Sequence, residues 1–166
     1  MFHPEQALPD TALLREHWRL IRDECLALPS SDFAPWPERE LYNHGWDIYG
    51  LYAQRRRLLE NCIFCPRTAD LLKSMDGVVN AGFSRLAPGT RILPHIGYRR
   101  ANVRYHLALQ ADGDCRIRVG EESRAWREGH SLLFEDIVTH EAWNHGRRTR
   151  IVLLVDFDRT LLRAEA

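Results

Sequence analysis

The chain has 166 residues, 45% of them hydrophobic, which suits one domain built around a core of ordinary size. Lysine plus arginine and aspartate plus glutamate both number 23, so a formal net charge of zero gives no reason to expect nucleic acid or an anionic membrane as a partner. No apolar run approaches the roughly 20 residues of a membrane span, and the first ten residues lack the pattern of a signal peptide. We therefore expect a cytoplasmic protein with four reduced cysteines.

Two of these cysteines, Cys62 and Cys65, form an isolated CxxC. A zinc site needs a second cysteine or histidine pair at close spacing, and none follows in the sequence. We interpret the pair as two packed thiols, with a metal or redox role as the alternative.

The first part of the chain, residues 1–77, is predicted to be a mainly helical support region. Apolar residues spaced four and three apart form one helical stripe: Leu14, Trp18, Ile21, Cys25 and Leu28. Asp10 can cap this helix and Pro29 ends it. A short strand is expected over 46–52, and a second helix over 66–75.

From residue 78 onward the apolar period changes to two. Short runs rich in branched and aromatic residues follow one another: VVNAGFSRL, RYHLALQ, CRIRVG, SLLFED and RIVLLVDF. Turn signals such as Pro88-Gly89 and Glu128-Gly129 separate them. Residues 78–160 are therefore predicted to form a sandwich or small barrel, and a jelly-roll with helices on one outer face fits the order of elements.

One predicted strand carries polar side chains on a single face. Alternation places two sets on opposite sides: Val103, Tyr105, Leu107 and Leu109 against Arg104, His106 and Ala108. An arginine and a histidine on the second side indicate either a solvent-facing surface or a barrel interior that holds an anion.

A second pattern resembles a metal pair with one member missing. His95 and Gly97 lie two apart on the same face, with glycine where many non-haem iron enzymes have aspartate. His140 supplies a distant second imidazole, although His130 and His145 are nearly as eligible on spacing alone. The residues by themselves leave open whether this is a metal site.

The histidines and arginines just described lie within three longer sequence segments, which read FSRLAPGTRILPHIGYRRANVRYHLAL, WREGHSLLFEDIVTHEAWN and RTRIVLLVDFDR. Arg150 opens the last apolar run, where its planar fork suits capture of a carboxylate. Over residues 82–159 the chain resembles the aspartyl/asparaginyl β-hydroxylase family of Fe(II)/2-oxoglutarate dioxygenases. Weaker similarity extends over most of the rest.

The resemblance implies a single 2-oxoglutarate dioxygenase domain over 1–166, mainly β with N-terminal helices, folded as a double-stranded β-helix (a cupin-like jelly-roll). It implies Fe(II), 2-oxoglutarate and O2 as cofactors and cosubstrates. The implied roles are iron ligation by His95 and His140, cosubstrate binding by Ser84, His106 and Arg150, and substrate binding by Arg104, helped by Arg99 or Arg100 unless these two are solvated turn residues.

Gly97 places the chain beside the branch of the family that lacks the iron-binding carboxylate. The resemblance implies an open coordination position there and weaker iron binding, which Gly97→Asp is expected to tighten. The implied reaction is hydroxylation of an aspartyl or asparaginyl residue, or a related small amino acid, with succinate and CO2 as co-products. The implied substrate is a peptide or small molecule with a carboxylate.

Two alternatives remain at this point. The missing carboxylate also suits a non-haem iron halogenase, and the same jelly-roll could bind small acids without catalysis. The sequence leaves the oligomeric state open.

Overall fold

The structure, a computed structural model, describes residues 1–163; residues 164–166, the end of the predicted domain, lie outside the described residues. The strands are β1 Phe2–His3, β2 Ala34–Pro35, β3 Trp46–Ala53, β4 Arg56–Arg57, β5 Val78–Leu86, β6 Arg91–His95, β7 Asn102–Gln110, β8 Cys115–Val119, β9 Glu122–Ala125, β10 Ser131–Phe134, β11 His140–Asn144 and β12 Arg150–Asp158. The α-helices are α1 Ala12–Glu16, α2 Trp18–Leu26, α3 Leu59–Cys62 and α4 Pro66–Lys73.

The strands form two antiparallel sheets. The larger has the order β1-β10-β7-β12-β5-β3-β2, with β4 paired to β3, and the smaller has the order β6-β11-β8-β9. Most neighbours are far apart in sequence, so the chain crosses repeatedly between the two sheets, as a jelly-roll requires. The predicted double-stranded β-helix is confirmed.

The two faces of the larger sheet bury different parts of the core. On β7 the set Val103, Tyr105, Leu107 and Leu109 packs beneath the helices, together with Ile21 and Cys25 of α2 and Leu72 of α4. Ala108 lies on the opposite face of β7, in a second hydrophobic cluster that contains residues of both sheets. The alternation predicted for this strand is confirmed, so Arg104 and His106 face the space between the sheets.

The N-terminal helical segment differs from the single helix expected from the apolar stripe. It divides at His17, whose backbone leaves helical geometry and whose Nδ1 lies 2.9 Å from the Leu13 carbonyl oxygen. Asp10 lies in a 3-10 turn and does not cap α1, and α2 ends at Leu26. The stripe identified the buried face correctly but carried no information on the break.

The support region also builds part of the larger sheet. The strand expected near residues 46–52 is β3, which pairs along β5, and α4 matches the second predicted helix. Cys62 and Cys65 are buried free thiols, and burial raises the pKa of Cys65 to about 12. That supports the packed-thiol interpretation, because a buried protonated thiol is unreactive. Among the helices of residues 1–163, none has the length and apolar character to cross a membrane.

Candidate active site

Two histidines meet where strands of the smaller sheet begin and end. His95 closes β6 and His140 opens β11, and the two are direct partners in the antiparallel register. Their ring centroids lie 4.3 Å apart. Hydrogen bonding fixes both tautomers: Nδ1 of His95 lies 2.7 Å from the carbonyl oxygen of Leu93, and Nδ1 of His140 lies 2.8 Å from that of Val138.

A carbonyl oxygen can only accept, so each Nδ1 carries the proton and each Nε2 keeps a free lone pair. Burial, the largest effect, lowers the pKa of His140 to about 4, so this imidazole is neutral at neutral pH. Neutral imidazoles oriented by backbone carbonyls are the usual form of histidine metal ligands. Within residues 1–163 no group of three or more His, Cys, Asp or Glu side chains could hold a metal ion, which leaves a two-histidine arrangement.

The two alternatives to His140, namely His130 and His145, are not paired with His95. Nδ1 of His145 lies 3.0 Å from Oδ2 of Asp114 at the surface, and His130 lies in the turn before β10. Register pairing between β6 and β11, which the sequence does not reveal, selects His140.

The space beside Gly97 is filled. A Cβ built on Gly97 would lie only 2.6 Å from Cγ of Asp136, and the Gly97 amide donates to the Asp136 carbonyl oxygen at 2.7 Å. A carboxyl group from the β10–β11 loop therefore packs against Gly97 and leaves no room for a side chain there. The open coordination position beside Gly97 and the effect of Gly97→Asp on iron binding stay predictions.

Arg150 is buried without an acidic partner among the described residues. It opens β12, opposite Leu86 of β5, with 2% of its surface exposed. Its Nη2 donates to the Ser84 hydroxyl at 2.9 Å and to the Ser84 carbonyl oxygen at 3.2 Å, while Nε has no partner. Trp46 donates to the same hydroxyl at 3.1 Å, which orients it. A buried cation with a free donor is suited to hold an anion.

His106 points another unused donor into the same region. Trp126 donates to its Nδ1 at 3.3 Å, so the neutral ring carries its proton on Nε2, and this buried atom has no partner. Burial and then the charge of Arg150 hold the pKa of His106 well below its usual range. A cavity of about 30 Å³ is lined by Ser84, His106, Trp126 and Arg150.

Arg104 is engaged by acidic residues of its own chain. Its Nε and Nη2 donate to the two carboxylate oxygens of Asp156 on β12 at 2.8 and 3.1 Å. Nη2 also lies 3.5 Å from Asp136 Oδ2. Asn80 of β5 donates to Asp156 Oδ2 at 3.1 Å, so the network crosses three strands.

A larger cavity of about 440 Å³ opens beside the histidine pair. Four residues line both cavities, namely His95, His140, Arg104 and Leu154, so the histidine pair lies where the cavities join. Arg99 lies on the wall of the larger cavity and is exposed, whereas Arg100 is exposed and does not line it. Apart from Arg100, the predicted site residues all line one or both of the two cavities.

Two acidic residues at the candidate site, Asp136 and Asp156, were not identified from the sequence. Asp136 lies four residues before His140, a short spacing that offers only a weak signal. Asp156 interrupts the apolar run of β12, and an acid inside a core strand requires a partner, which was a usable signal.

Comparison with known proteins agrees with this geometry. The family model described as aspartyl/asparaginyl beta-hydroxylase matches residues 15–160. The human aspartyl/asparaginyl beta-hydroxylase is 32% identical over 152 residues, covering 86% of this chain and 20% of that protein. An ornithine lipid ester-linked acyl 2-hydroxylase from Rhizobium tropici is 34% identical over 119 residues, covering 70% of this chain and 42% of that protein. The chain thus spans less than half the length of these relatives.

Solved structures share the fold at low sequence identity. A Pseudomonas putida prolyl-4-hydroxylase superimposes with a TM-score of 0.58 at 17% identity, covering 87% of each chain. A predicted oxalate decarboxylase from Thermotoga maritima gives 0.52 at 11% identity, covering 80% of this chain and 98% of that one. With the family model matching most of its length, the chain belongs to the aspartyl/asparaginyl beta-hydroxylase family.

Proposed function

We propose that this chain is an Fe(II)- and 2-oxoglutarate-dependent hydroxylase that acts on an amino acid or peptide and releases succinate and CO2. One observation carries the proposal: the imidazoles of His95 and His140, whose Nε2 atoms are free, lie beside two buried donors without partners. These donors are Nε of Arg150 and Nε2 of His106.

The histidine pair fits iron in its donor chemistry. Imidazole nitrogen is a suitable ligand for Fe(II), and a two-histidine site leaves several positions of an octahedral ion for cosubstrate and oxygen. Iron bound there would supply the oxygen chemistry that the side chains of the site cannot perform. The residues themselves orient the ligands and bury the site, because His140 is only 6% exposed.

The buried donors fit the far carboxylate of 2-oxoglutarate. Arg150 and Ser84 offer a charged and a neutral donor at one end of the smaller cavity, and His106 points Nε2 into it. Its volume of about 30 Å³ is too small for the whole dicarboxylate, which has to extend towards the histidine pair or displace lining side chains. Binding would pair a cation that is otherwise buried alone.

Asp136 places a carboxyl group close to the metal-binding pair. It is mostly buried, burial raises its pKa, and its Oδ1 has no hydrogen-bond partner. This acid lies beside Gly97 on another loop, but it does not form a three-residue ligand group with the two histidines.

The larger cavity is the proposed substrate site. It joins the smaller one at the histidine pair, and its volume of about 440 Å³ accommodates an amino-acid side chain with part of a backbone. Aspartyl and asparaginyl residues, the substrates implied by the resemblance, are of suitable size.

The test combines metal binding with product analysis. Protein loaded with Fe(II) is incubated with 2-oxoglutarate, oxygen and a library of short peptides, and succinate and products 16 mass units heavier are measured. Succinate formation that depends on Fe(II) and on His95 supports the proposal. Tight 2-oxoglutarate binding that is unchanged in His95→Ala, with no succinate, would instead identify a non-catalytic acid-binding jelly-roll.

Histidine variants provide the matched comparison. His95→Ala and His140→Ala are expected to lose most Fe(II) binding, because each removes one of two imidazoles. His145→Ala removes an exposed histidine that is paired only with Asp114, so its Fe(II) affinity is expected to stay unchanged. Equal Fe(II) affinity in all three variants would refute this metal site.

A further inference from the structure

Two tryptophans line the smaller cavity, and each donates to a side chain that could otherwise either donate or accept. Nε1 of Trp126 donates to Nδ1 of His106 at 3.3 Å, and Nε1 of Trp46 donates to Oγ of Ser84 at 3.1 Å. Both tryptophans are buried. An indole N–H can only donate, so each contact fixes its partner atom as an acceptor.

The contact with Trp126 decides which nitrogen of His106 carries the proton. Burial and then the charge of Arg150 hold the pKa of His106 well below its usual range, so the ring is neutral and has one N–H. Because Nδ1 accepts from Trp126, the proton lies on Nε2, a buried atom that has no partner among residues 1–163. The other tautomer would set two N–H groups against each other and would offer the cavity a lone pair.

The Ser84 hydroxyl is oriented by two donors in the same way. Its Oγ accepts from Nε1 of Trp46 and, at 2.9 Å, from Nη2 of Arg150. These two bonds occupy both lone pairs of the oxygen, so only its own hydrogen is left to form a bond. Within residues 1–163 no acceptor receives that hydrogen. Ser84 is therefore left as a donor, like His106.

Trp126 also supports the charged member of the group. The guanidinium carbon of Arg150 lies 4.5 Å from the centroid of the Trp126 ring. Stacking on the ring uses the flat face of the guanidinium and leaves its N–H edge, including the unpartnered Nε, for an anion. Glu141, the acid in the lining of this cavity, pairs with Arg118 at 2.7 Å and does not neutralise Arg150.

From these contacts we infer that Trp126 and Trp46 are positioning residues, which make Ser84, His106 and Arg150 present only hydrogen-bond donors to the smaller cavity. Such a site matches a carboxylate, whose oxygens only accept, and rejects an amide, whose N–H groups would meet other N–H groups. The inference rests on the proposed function and names the residues that set the selectivity of its cosubstrate site.

The first test needs no ligand. NMR of the imidazole nitrogens, with the His106 signals assigned by their loss in His106→Gln, distinguishes the two tautomers. We expect the proton on Nε2 in the wild type and a mixture of tautomers in Trp126→Phe, which keeps the ring face but removes the N–H. Trp143→Phe is the matched control, because Trp143 donates to Asp114 at 3.3 Å and lines neither cavity. A proton on Nδ1 in the wild type, or an unchanged tautomer in Trp126→Phe, would overturn the inference.

The second test compares two ligands of the same shape. 2-Oxoglutarate and 2-oxoglutaramate, the amide of its far carboxylate, are titrated calorimetrically into protein that contains Zn(II), so that no turnover occurs. We expect the wild type to bind the carboxylate about a hundredfold more tightly, and Trp126→Phe to reduce this ratio about tenfold. A purely structural role of Trp126 would weaken both ligands alike and keep the ratio.

Two further variants locate the effect. In a His106→Ala background, Trp126→Phe should leave the ratio unchanged, because Trp126 acts on the ratio through His106. Trp46→Phe should reduce the ratio less than Trp126→Phe does, because Arg150 still donates to Ser84.

An unchanged ratio in Trp126→Phe with an intact circular dichroism spectrum, or an equal reduction in Trp143→Phe, would overturn the inference. Failure of 2-oxoglutarate to bind would refute both the inference and the proposed function. The expected ratios without any succinate formation by the Fe(II) protein would count only against the proposed function.

Discussion

Arg150 has an unusual environment for a buried arginine. Among the described residues it forms no ion pair; its charged end contacts the Ser84 oxygens and lies over the Trp126 ring, 4.5 Å from the centroid. Burial lowers its pKa to about 10, which is still high enough to keep it charged at neutral pH. A buried cation without an acidic partner costs stability in the ligand-free protein, and the proposed anion ligand would offset that cost.

Arg150→Met should therefore separate stability from ligand binding. In wild-type protein containing Zn(II), 2-oxoglutarate at a hundred times its Kd should stabilise folding by about 2.7 kcal/mol. We expect the variant to lose most of this stabilisation without a lower melting temperature in the absence of ligand. Thermal unfolding with and without 2-oxoglutarate measures both effects. Arg148→Met is the control, because Arg148 pairs with Glu128 near the surface. A variant that is stabilised as much as the wild type would contradict the role of Arg150.

His106 predicts a pH dependence of stability. Burial and then Arg150 hold its pKa well below the ordinary 6.5, so the unfolded chain takes up a proton at a pH where the folded one does not. Its contribution is complete above about pH 6.5 and is lost as the pH falls below that value. The free energy of unfolding of His106→Gln should decline less steeply with falling pH than that of the wild type. His44→Gln removes an exposed histidine and should keep the wild-type slope; identical slopes in all three proteins would exclude His106 as the source.

At the scale of elements, two loops meet beside the histidine pair. The loop after β6 carries Gly97, the loop before β11 carries Asp136, and a backbone hydrogen bond of 2.7 Å connects them. This contact brings a carboxyl group next to the histidines without placing it on either histidine strand. The glycine is required because the two loops approach too closely for a side chain.

Gly97→Ala should therefore destabilise the protein by about 1–3 kcal/mol, because its Cβ collides with the Asp136 carboxyl group. In Gly97→Ala combined with Asp136→Ala the colliding group is absent. We expect denaturant unfolding to show a double variant less destabilised than the sum of the single ones. Additive effects would mean that the two residues do not meet.

At the scale of the whole molecule, both ends of the fold converge on the loop that carries Asp136. Glu135 is hydrogen-bonded to Nε2 of His3 at 2.8 Å and receives a hydrogen bond from Arg159, while its amide donates to the Met1 carbonyl oxygen. The N-terminal segment with β1 and the segment after β12 therefore both hold this loop through Glu135.

Arg159→Met is expected to weaken Fe(II) binding severalfold, equivalent to about 1 kcal/mol, by loosening this loop without removing any site residue. Arg55→Met is the matched control, because Arg55 pairs with the neighbouring Asp158 near the surface and does not contact Glu135. Titration with Fe(II), followed by absorbance or by competition, measures the Fe(II) affinity of both variants. Equal affinities would show that the loop is held adequately without Arg159.

The sequence by itself determined the kind of fold and the candidate residues of the site. Alternation along β7 identified its buried and polar faces, because strand geometry alone sets that period. The quoted motifs brought His95, His140, Ser84 and Arg150 into one hypothesis, and the structure places them around one junction.

Only the tertiary structure decided which residues meet. The choice of His140, the carboxyl of Asp136 beside Gly97 and the pairing of Arg104 with Asp156 all depend on strand register or on contact between distant loops. The break at His17 likewise depended on a local bond that the apolar stripe does not encode. Periodicity describes each segment alone, whereas the pairing between segments is fixed by the packing of the whole chain. The pairing of Arg104 with Asp156 follows from that packing.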